Sequence, residues 1–309
     1  MKPSIKLSAP NLDNVDIRSL KVFMAVVRNR GFSAAKEELN LNQPAISSHM
    51  AQLESRLKVT LCHRGRSGFQ LTEQGEQVYA AATKLFSAIE CFRSDVASCR
   101  GQLAGELHIG MVDILATCED FKLPQVIDEY ETRAPEIVVK LHKNAPKNLL
   151  RMLKEKQLDV VISPIYSAAE NIEHFDLYDE YQVLYCGSKH PLFNISEKEL
   201  SLESLESAQY AARDYTQDWT PPPSPFLKTA TLTGDIESIA ILILSGNYIG
   251  YLPQHYAEHW VNKGLMKPLL ITETAYSCNL QLAYLKANHN LSLQLLIELV
   301  QKYFHSAVQ

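Results

Sequence analysis

Several things are missing from this 309-residue chain, and each absence removes a class of function. No apolar run approaches the roughly 18 residues that a membrane span needs. Residues 1–15 hold Pro3, Pro10 and Asn11 but no apolar segment of the kind an export signal carries, so we read them as a short tail on a cytoplasmic protein. The six cysteines never form C-x-x-C and are not spaced as a zinc site or a dense disulfide framework. Reduced thiols are the expectation, with a redox sensor as the alternative. There is no Gly-rich phosphate loop, no G-x-S-x-G elbow and no H-E-x-x-H, which argues against an enzyme, a metal site or a resident cofactor.

What remains is a globular composition, 46% hydrophobic and 21% charged, long enough for two or more domains. The net charge of −5 conceals an asymmetry. Residues 1–100 carry 14 Lys and Arg against 9 Asp and Glu, and the rest carry 16 against 26. A basic front on an acidic body points to a polyanion partner for the front alone.

That front reads as three helices before residue 58. The first runs from about Asp16 to Arg28, with Leu20, Phe23, Met24 and Val27 on one face. The second starts at Ser33 as N-cap and ends at Leu39. Asn40-Leu41-Asn42 turns the chain, and Asn42 caps a third helix with Pro44 in its first turn. In that third helix Ala45, Ile46, Met50, Leu53 and Leu57 recur at helical spacing. The other face carries Gln43, Ser47, Ser48, His49 and Gln52, then Arg56, where a solvated face would hold more Glu and Lys. Two short helices joined by a tight turn form a helix-turn-helix, whose second helix meets base edges in the major groove of double-stranded DNA. Gln43 suits an adenine edge, Ser47 and Ser48 suit bases or phosphate, and Pro44 suits a thymine methyl.

"RGRSG" between Val59/Leu61 and Phe69/Leu71 predicts a hairpin wing, with Arg64 and Arg66 at its tip near flanking phosphates or a minor groove. A solvated turn is the plainer alternative. Thr72 caps a further helix, along which Val78, Ala82, Leu85, Ile89, Phe92 and Val96 alternate at steps of four and three. This heptad seam predicts a dimerisation helix, because two-fold DNA sites call for two-fold proteins. The alternative is a helix packed on its own domain.

Taken together, "LKVFMAVVRNRGFSAAKEELNLNQPAISSHMAQLESRL" and "LCHRGRSGFQLTEQG" resemble the LysR-type transcriptional regulators, and so do "GELHIGMVD", "LDVVISP", "YCGSKHPLF" and "LSGNYIGYLPQHYA" further on. The resemblance implies a multidomain α+β protein. It would have a winged helix-turn-helix (16–72) after the tail (1–15), a linker helix that pairs in dimers (73–100), and an effector-binding domain (101–309) like a two-lobed periplasmic solute-binding protein. It also implies a homodimer or homotetramer, a small-metabolite effector, and RNA polymerase as a candidate further partner. Ser33 matches a phosphate-contacting position, Gln43, Pro44 and Ser47 match base-contacting ones, and Arg64 matches the wing arginine. Two departures stand out. Ser48 and His49 replace the Arg-Gln of many members, removing a bidentate guanine reader. Lys58 replaces the Gly that commonly follows the helix, where a left-handed cap costs a non-glycine about 1 kcal/mol.

From Leu103 onward strand-like and helix-like segments alternate, which predicts parallel α/β architecture. We place lobe I at 101–163 and 270–309 and lobe II at 164–269, with the final strand at "LQLAYL". Ligands in such sheets bind beyond the carboxyl ends of strands. The cleft is then lined by Val112, Asp113, Ile114, Asn144, Ser163, Pro164, Arg213, Gly234, Asp235, Ile236 and Glu237. Arg213 suits a ligand carboxylate bidentately, or it pairs with Asp214 or another acid. The three acids equally suit a cationic or hydroxylated ligand, so the ligand's charge stays open. His255 and His259 read as surface imidazoles. "WTPPPSP" (219–225) reads as a lid, an oligomer contact or a plain connector. The reading that follows is an effector-controlled, sequence-specific transcription factor. A solute-binding module without DNA contacts, or an α/β enzyme fused to a DNA-binding domain, are the alternatives.

Overall fold

The computed structural model describes residues 13–65, 68–100, 103–165, 170–214 and 226–305. It divides into two compact units, 1–89 and 90–309.

The first unit holds α1 (Asn14–Arg28), α2 (Ala35–Leu39), α3 (Gln43–Leu57), a hairpin of β1 (Cys62–Gly65) and β2 (Gly68–Leu71), and the start of α4 (Glu73–Cys99). Asp13 caps α1 by accepting the amides of Val15 and Asp16, so this helix and its cap begin ahead of the 15/16 boundary read from sequence. Buried Val22, Ala25 and Val26 widen the apolar face of α1 beyond the single stripe expected. Helix α2 is shorter than expected: Ala34 stands at its N-cap with no side-chain bond, because the Ser33 hydroxyl turns to Gln43 instead. Asn40 closes α2 in the left-handed region, and Asn42 caps α3 through the Ala45 amide. Lys58 ends α3 at φ 55°, so the left-handed cap persists without a glycine. Lys58→Gly is accordingly expected to stabilise the chain by about 0.5–1 kcal/mol, the relief of Cβ strain less the entropy glycine loses on folding. A higher urea midpoint would show it; a lower one would mean the lysine side chain contributes more than its strain costs.

The second unit holds β3 (Gly105–Met111), α5 (Leu123–Arg133), β4 (Ile137–Lys143), α6 (Pro146–Lys154), β5 (Val160–Ser163), β6 (Ile172–Gly187), α7 (Leu202–Glu206) and β7 (Tyr210–Arg213). Then follow β8 (Thr229–Thr233), α8 (Ile236–Ser245), β9 (Ile249–Pro253), α9 (Gln254–Val261), β10 (Met266–Pro268), α10 (Ile271–Thr274), β11 (Tyr276–Leu285) and α11 (Leu291–His305). The strands form one sheet in the order β4-β3-β5-β11-β6-β9-β7-β8, with β10 also on β6. Strands β3, β4 and β5 run parallel, and so do β7, β8 and β9. Strands β6 and β11 pair antiparallel with each other, and β6 with β9 and β11 with β5 likewise. The sheet is therefore mixed rather than parallel throughout, because the chain goes out to lobe II along β6 and returns along β11.

These two long strands also shift the lobe boundaries. Ile172 and Leu177 belong to the lobe I core with Ile109, Val126, Leu149, Leu280 and Val300. Val183 and Tyr185 face one lobe II cluster, and Leu184 and Cys186 face the other. That double burial explains the unbroken apolar run in "VLYC". The crossing thus lies near Glu180–Gln182 rather than at 163/164. The return lies near Tyr276, since Leu270 still packs in lobe II.

At the outer edge of lobe I, Lys302 and the Tyr303 hydroxyl, with Arg133 beside them, hold the Glu129 carboxyl down to about 2. A depressed folded pKa contributes stability that is complete above the ordinary carboxylate value of about 4.5 and is lost as pH falls through the folded value. The second unit is expected to lose melting temperature between pH 4.5 and pH 2. Glu129→Gln should flatten that dependence; an unchanged profile in the variant would show that the contacts of Glu129 contribute nothing.

Candidate functional site

In the first unit, Ile46, Met50 and Leu53 are wholly buried and lock α3 in one rotation. That rotation exposes Gln43, Pro44, Ser48 and Gln52, with Ser47 half-buried beside them. Ser33, in the turn before α2, donates to Gln43 Oε1 at 3.4 Å, so two of the residues singled out from sequence meet at the start of the helix.

Two others turn inward. His49 meets the buried Ser19 hydroxyl at 3.1 Å through Nδ1. Arg56 clamps Asp16, whose side chain is almost fully buried, and also reaches Asp13 at 3.1 Å. Both residues therefore support the α1–α3 packing, a role beyond the base contact expected of them. The Asp13 amide, joined by Arg56, holds the Asp16 carboxyl below the usual range. The sequence hid these roles because the partners lie 30 and 40 residues away.

The wing is present. Gly65 pairs with Gly68, and Phe69 packs edge-to-face on Phe32 at 6.2 Å between ring centroids. Arg64 lies on β1 opposite Phe69, while its side chain and the whole of Arg66 fall outside the described residues. Glu54 accepts the Leu61 amide at 2.8 Å, which fixes the entry to the wing. Thr72 donates to the Thr60 carbonyl and accepts the Gly75 amide, which fixes the exit.

The seam on α4 is divided. Ala82 is buried in its own protomer's core with Phe23, Met50, Leu53 and Leu61, and Val78 and Leu85 pack on the same cluster. Those three are corrected to intramolecular packing. Helix α4 is 27 residues and about 40 Å long, and its first turns pack on the winged unit. Beyond, Ile89 is half-buried, Val96 is exposed, and Phe92 is 67% exposed, an unusual place for a phenylalanine.

In the second unit the cleft is built where β6 and β11 cross between lobes. Gln182 and Tyr276 face each other across these strands. Arg213, at the carboxyl end of β7 and 6% exposed, donates to Gln182 Oε1 at 3.3 Å and to the Tyr276 hydroxyl at 3.1 Å. Burial pushes the Tyr276 phenol up, and pushes neighbouring Tyr210 up to about 12. Gln182 Nε2 in turn donates to Glu180 Oε2 at 2.5 Å.

Among the described residues, contacts between lobe I and lobe II come from Asp113, Ile114 and Thr117. Asp113, just past β3, accepts the Ile236 amide of α8 at 2.9 Å. Ile114 packs on the lobe II cluster, from a left-handed backbone (φ 63°) that a β-branched residue adopts only under strain. Thr117, in a single 3₁₀ turn (Leu115–Thr117), bonds His255 Nδ1 at 2.8 Å, and His255 Nε2 meets Glu180 Oε1 at 3.1 Å. His255 is therefore an interlobe residue and not the surface imidazole expected, whereas His259 is exposed and bonds Lys263.

Asp235 caps α8 through the Ser238 amide and hydroxyl, Ile236 is buried behind it, and Glu237 and Gly234 are exposed. Val112, Ser163 and Pro164 are buried at the strand ends of lobe I. Asn144 is exposed and bonds the Ala145 amide and Asn148, so it organises the start of α6 instead of presenting a free amide to the cleft. Sequence reading missed Glu180, Gln182, Tyr276 and Thr117. Polar residues inside the apolar run of β6 were the available signal.

The redox alternative loses support. Burial pushes the Cys186 thiol up to about 12 and raises that of Cys118, and Cys62 and Cys278 are buried. The side chains of Cys91 and Cys99, and the segment 219–225, fall outside the described residues. Among the described residues no helix is long and apolar enough to cross a membrane, and no group of three or more His, Cys, Asp or Glu is placed to hold a metal ion.

Comparison with known proteins agrees with this geometry. Residues 17–76 match the family "bacterial regulatory helix-turn-helix protein, lysR family", and residues 100–305 match "LysR substrate binding domain". The HTH-type transcriptional activator BauR of Pseudomonas aeruginosa is 34% identical over 305 residues, covering 97% of this chain and 99% of its own. Among solved structures, the LysR family regulator CbnR shares the fold with a TM-score of 0.65 at 19% identity, over 93% of this chain and 99% of that one. The full-length virulence activator AphB of Vibrio cholerae does so with a TM-score of 0.58 at 16% identity, over 93% and 99%. A DNA-reading helix pair followed by a two-lobed effector-binding body, matched along nearly the whole chain, places this protein in the LysR family of transcriptional regulators.

Proposed function

We propose that this regulator binds inverted DNA half-sites as a homodimer that pairs further into a tetramer, and that an anionic metabolite in its interlobe cleft controls it. The observation that carries the DNA half is the exposed, uncharged face of α3, held in place by Ile46, Met50 and Leu53. Gln43, Pro44, Ser47, Ser48 and Gln52 reach base edges, while Ser33 and the wing arginines Arg64 and Arg66 reach the backbone. Ile89, Phe92 and Val96 join two copies, since a phenylalanine left this exposed on a helix calls for a partner. The protein works in the cytoplasm. RNA polymerase is its further partner if, like BauR, it activates transcription.

Support for an anionic ligand comes from how the charged groups of the cleft are engaged. Asp113 and Asp235 both accept amides at the start of α8, and Glu180 is engaged by Gln182 and His255. Arg213 is a buried cation at the carboxyl end of β7 that donates to Gln182 and Tyr276. A carboxylate is the group such a guanidinium recognises best.

Gln43→Ala tests the DNA half. Duplexes are first selected from a random pool by the native chain. The variant is expected to lose about 1–3 kcal/mol of preference for the selected duplex over a scrambled one. An equal loss on both duplexes would reduce Gln43 to a backbone-positioning role.

A further inference from the structure

The cleft contains an unbroken line of hydrogen bonds from one lobe to the other. Arg213 donates to Gln182, Gln182 donates to Glu180 Oε2, and Glu180 Oε1 takes His255 Nε2. Because a carboxylate only accepts, His255 Nε2 donates to Glu180, while Nδ1 meets the Thr117 hydroxyl, which also reaches the Ile114 carbonyl at 3.4 Å. Of these residues only Thr117 belongs wholly to lobe I; Gln182 and Glu180 lie on the crossing strand, and Arg213 and His255 in lobe II. Glu180 is 6% exposed and Gln182 is fully buried, so water competes little for the middle of the line.

We propose that His255 is a positioning residue that latches the lobes through Thr117, and that Arg213 governs the latch through Gln182 and Glu180. The latch itself follows from geometry alone. Its control by a ligand rests on the proposal that Arg213 receives the effector's anionic group. A carboxylate arriving at Arg213 competes with Gln182 for the same guanidinium. Gln182 then shifts its hold on Glu180, and the carboxylate of Glu180 sets how firmly the His255 ring is presented to Thr117. Occupancy at the hinge is thereby converted into a change at the lobe I turn. For this to act as a switch, the open and closed states must differ in their affinity for the ligand, and the Arg213–Gln182 contact supplies such a difference.

One amide reports closure directly, since the Ile236 N–H is held across the cleft by Asp113. Its hydrogen exchange is measured by mass spectrometry on the full chain without ligand, with Val126 in the lobe I core as the folding reference. Thr117→Val removes only the hydroxyl and is expected to speed exchange at Ile236 at least tenfold, while Thr117→Ser restores the native rate. His255→Ala should speed it by a similar factor, and the double variant should be no faster than His255→Ala, as members of one interaction are not additive. Gln182→Met, which cuts the line between Arg213 and Glu180, should also speed it, at least threefold. Unchanged exchange in Thr117→Val, with Val126 still protected, overturns the latch. Unchanged exchange in Gln182→Met alone overturns the control by Arg213 and leaves the latch standing. Should His255→Ala fail to fold, Thr117→Val and its serine counterpart decide the matter. No ligand enters the measurement, so these failures are distinct from a failure of the effector proposal.

Discussion

Gly75→Ala is expected to destabilise the DNA-reading unit by about 3 kcal/mol, the upper end of what forcing one methyl group into packed structure costs. A Cβ on Gly75 would stand 1.9 Å from the Leu61 carbonyl oxygen and 2.9 Å from its carbonyl carbon. Both are backbone atoms, so no side-chain rotation relieves the clash. The Gly75 amide also donates to Thr72, whose hydroxyl donates to Thr60, and the Leu61 carbonyl accepts the Thr72 amide. Moving α4 away from Leu61 therefore strains the junction of wing and helix as well as the packing. Urea unfolding of the full chain should show an earlier transition for the first unit, with the second unit's transition unmoved. A variant as stable as the native chain would mean that the wing shifts at little cost and does not hold its arginines in a fixed position.

The second large effect is expected at the hinge. Arg213→Met keeps the length of the side chain but removes its donors. Gln182 Oε1 then loses the bond that Arg213 supplies, at a cost of about 1–3 kcal/mol for a buried acceptor. The functional loss should be larger. A carboxylate held bidentately by a buried guanidinium has no substitute partner in a thioether, so affinity for an anionic ligand should fall about a hundredfold or more. Thermal shifts with a panel of short mono- and dicarboxylates, their amides and their amines are the measurement. The native chain should respond to a carboxylate and not to the matching amide, and the variant to neither. A response to amines alone would assign the site to Glu180 and reverse the proposed ligand charge.

Local chemistry was the part most legible in the sequence. Asn40, Asn42, Pro44 and Thr72 could each be assigned a turn or cap on intrinsic backbone preferences. The winged helix-turn-helix followed from these signals and the periodicity of Ile46, Met50 and Leu53. Long-range pairings were not legible. Nothing near Arg56 announces Asp16, and nothing near His49 announces Ser19, so a helix face chosen by periodicity admitted two residues that serve the fold. The seam on α4 was legible only in part, for a related reason. A regular apolar stripe does not say where its partner changes, and Ala82 fills the same protomer's core while Phe92 points out.

In the second unit, Arg213 was chosen because it ends a strand, which is a local property. Its partners Gln182 and Tyr276 lie 31 and 63 residues away, brought together by two strands that each serve both lobes. A strand of 16 residues reads in sequence as two shorter ones, and so β6 concealed the hinge on which the cleft is built.

The central claim is that α3 presents an uncharged polar face to duplex DNA. Equilibrium binding of the purified full-length chain to a selected duplex and to its scrambled counterpart, measured across a series of salt concentrations, tests it most directly. The expected result is a preference of about 10³ or more for the selected duplex at physiological salt, with log affinity falling linearly against log salt on both. A folded protein that binds neither duplex at low salt, or binds both equally, would contradict it.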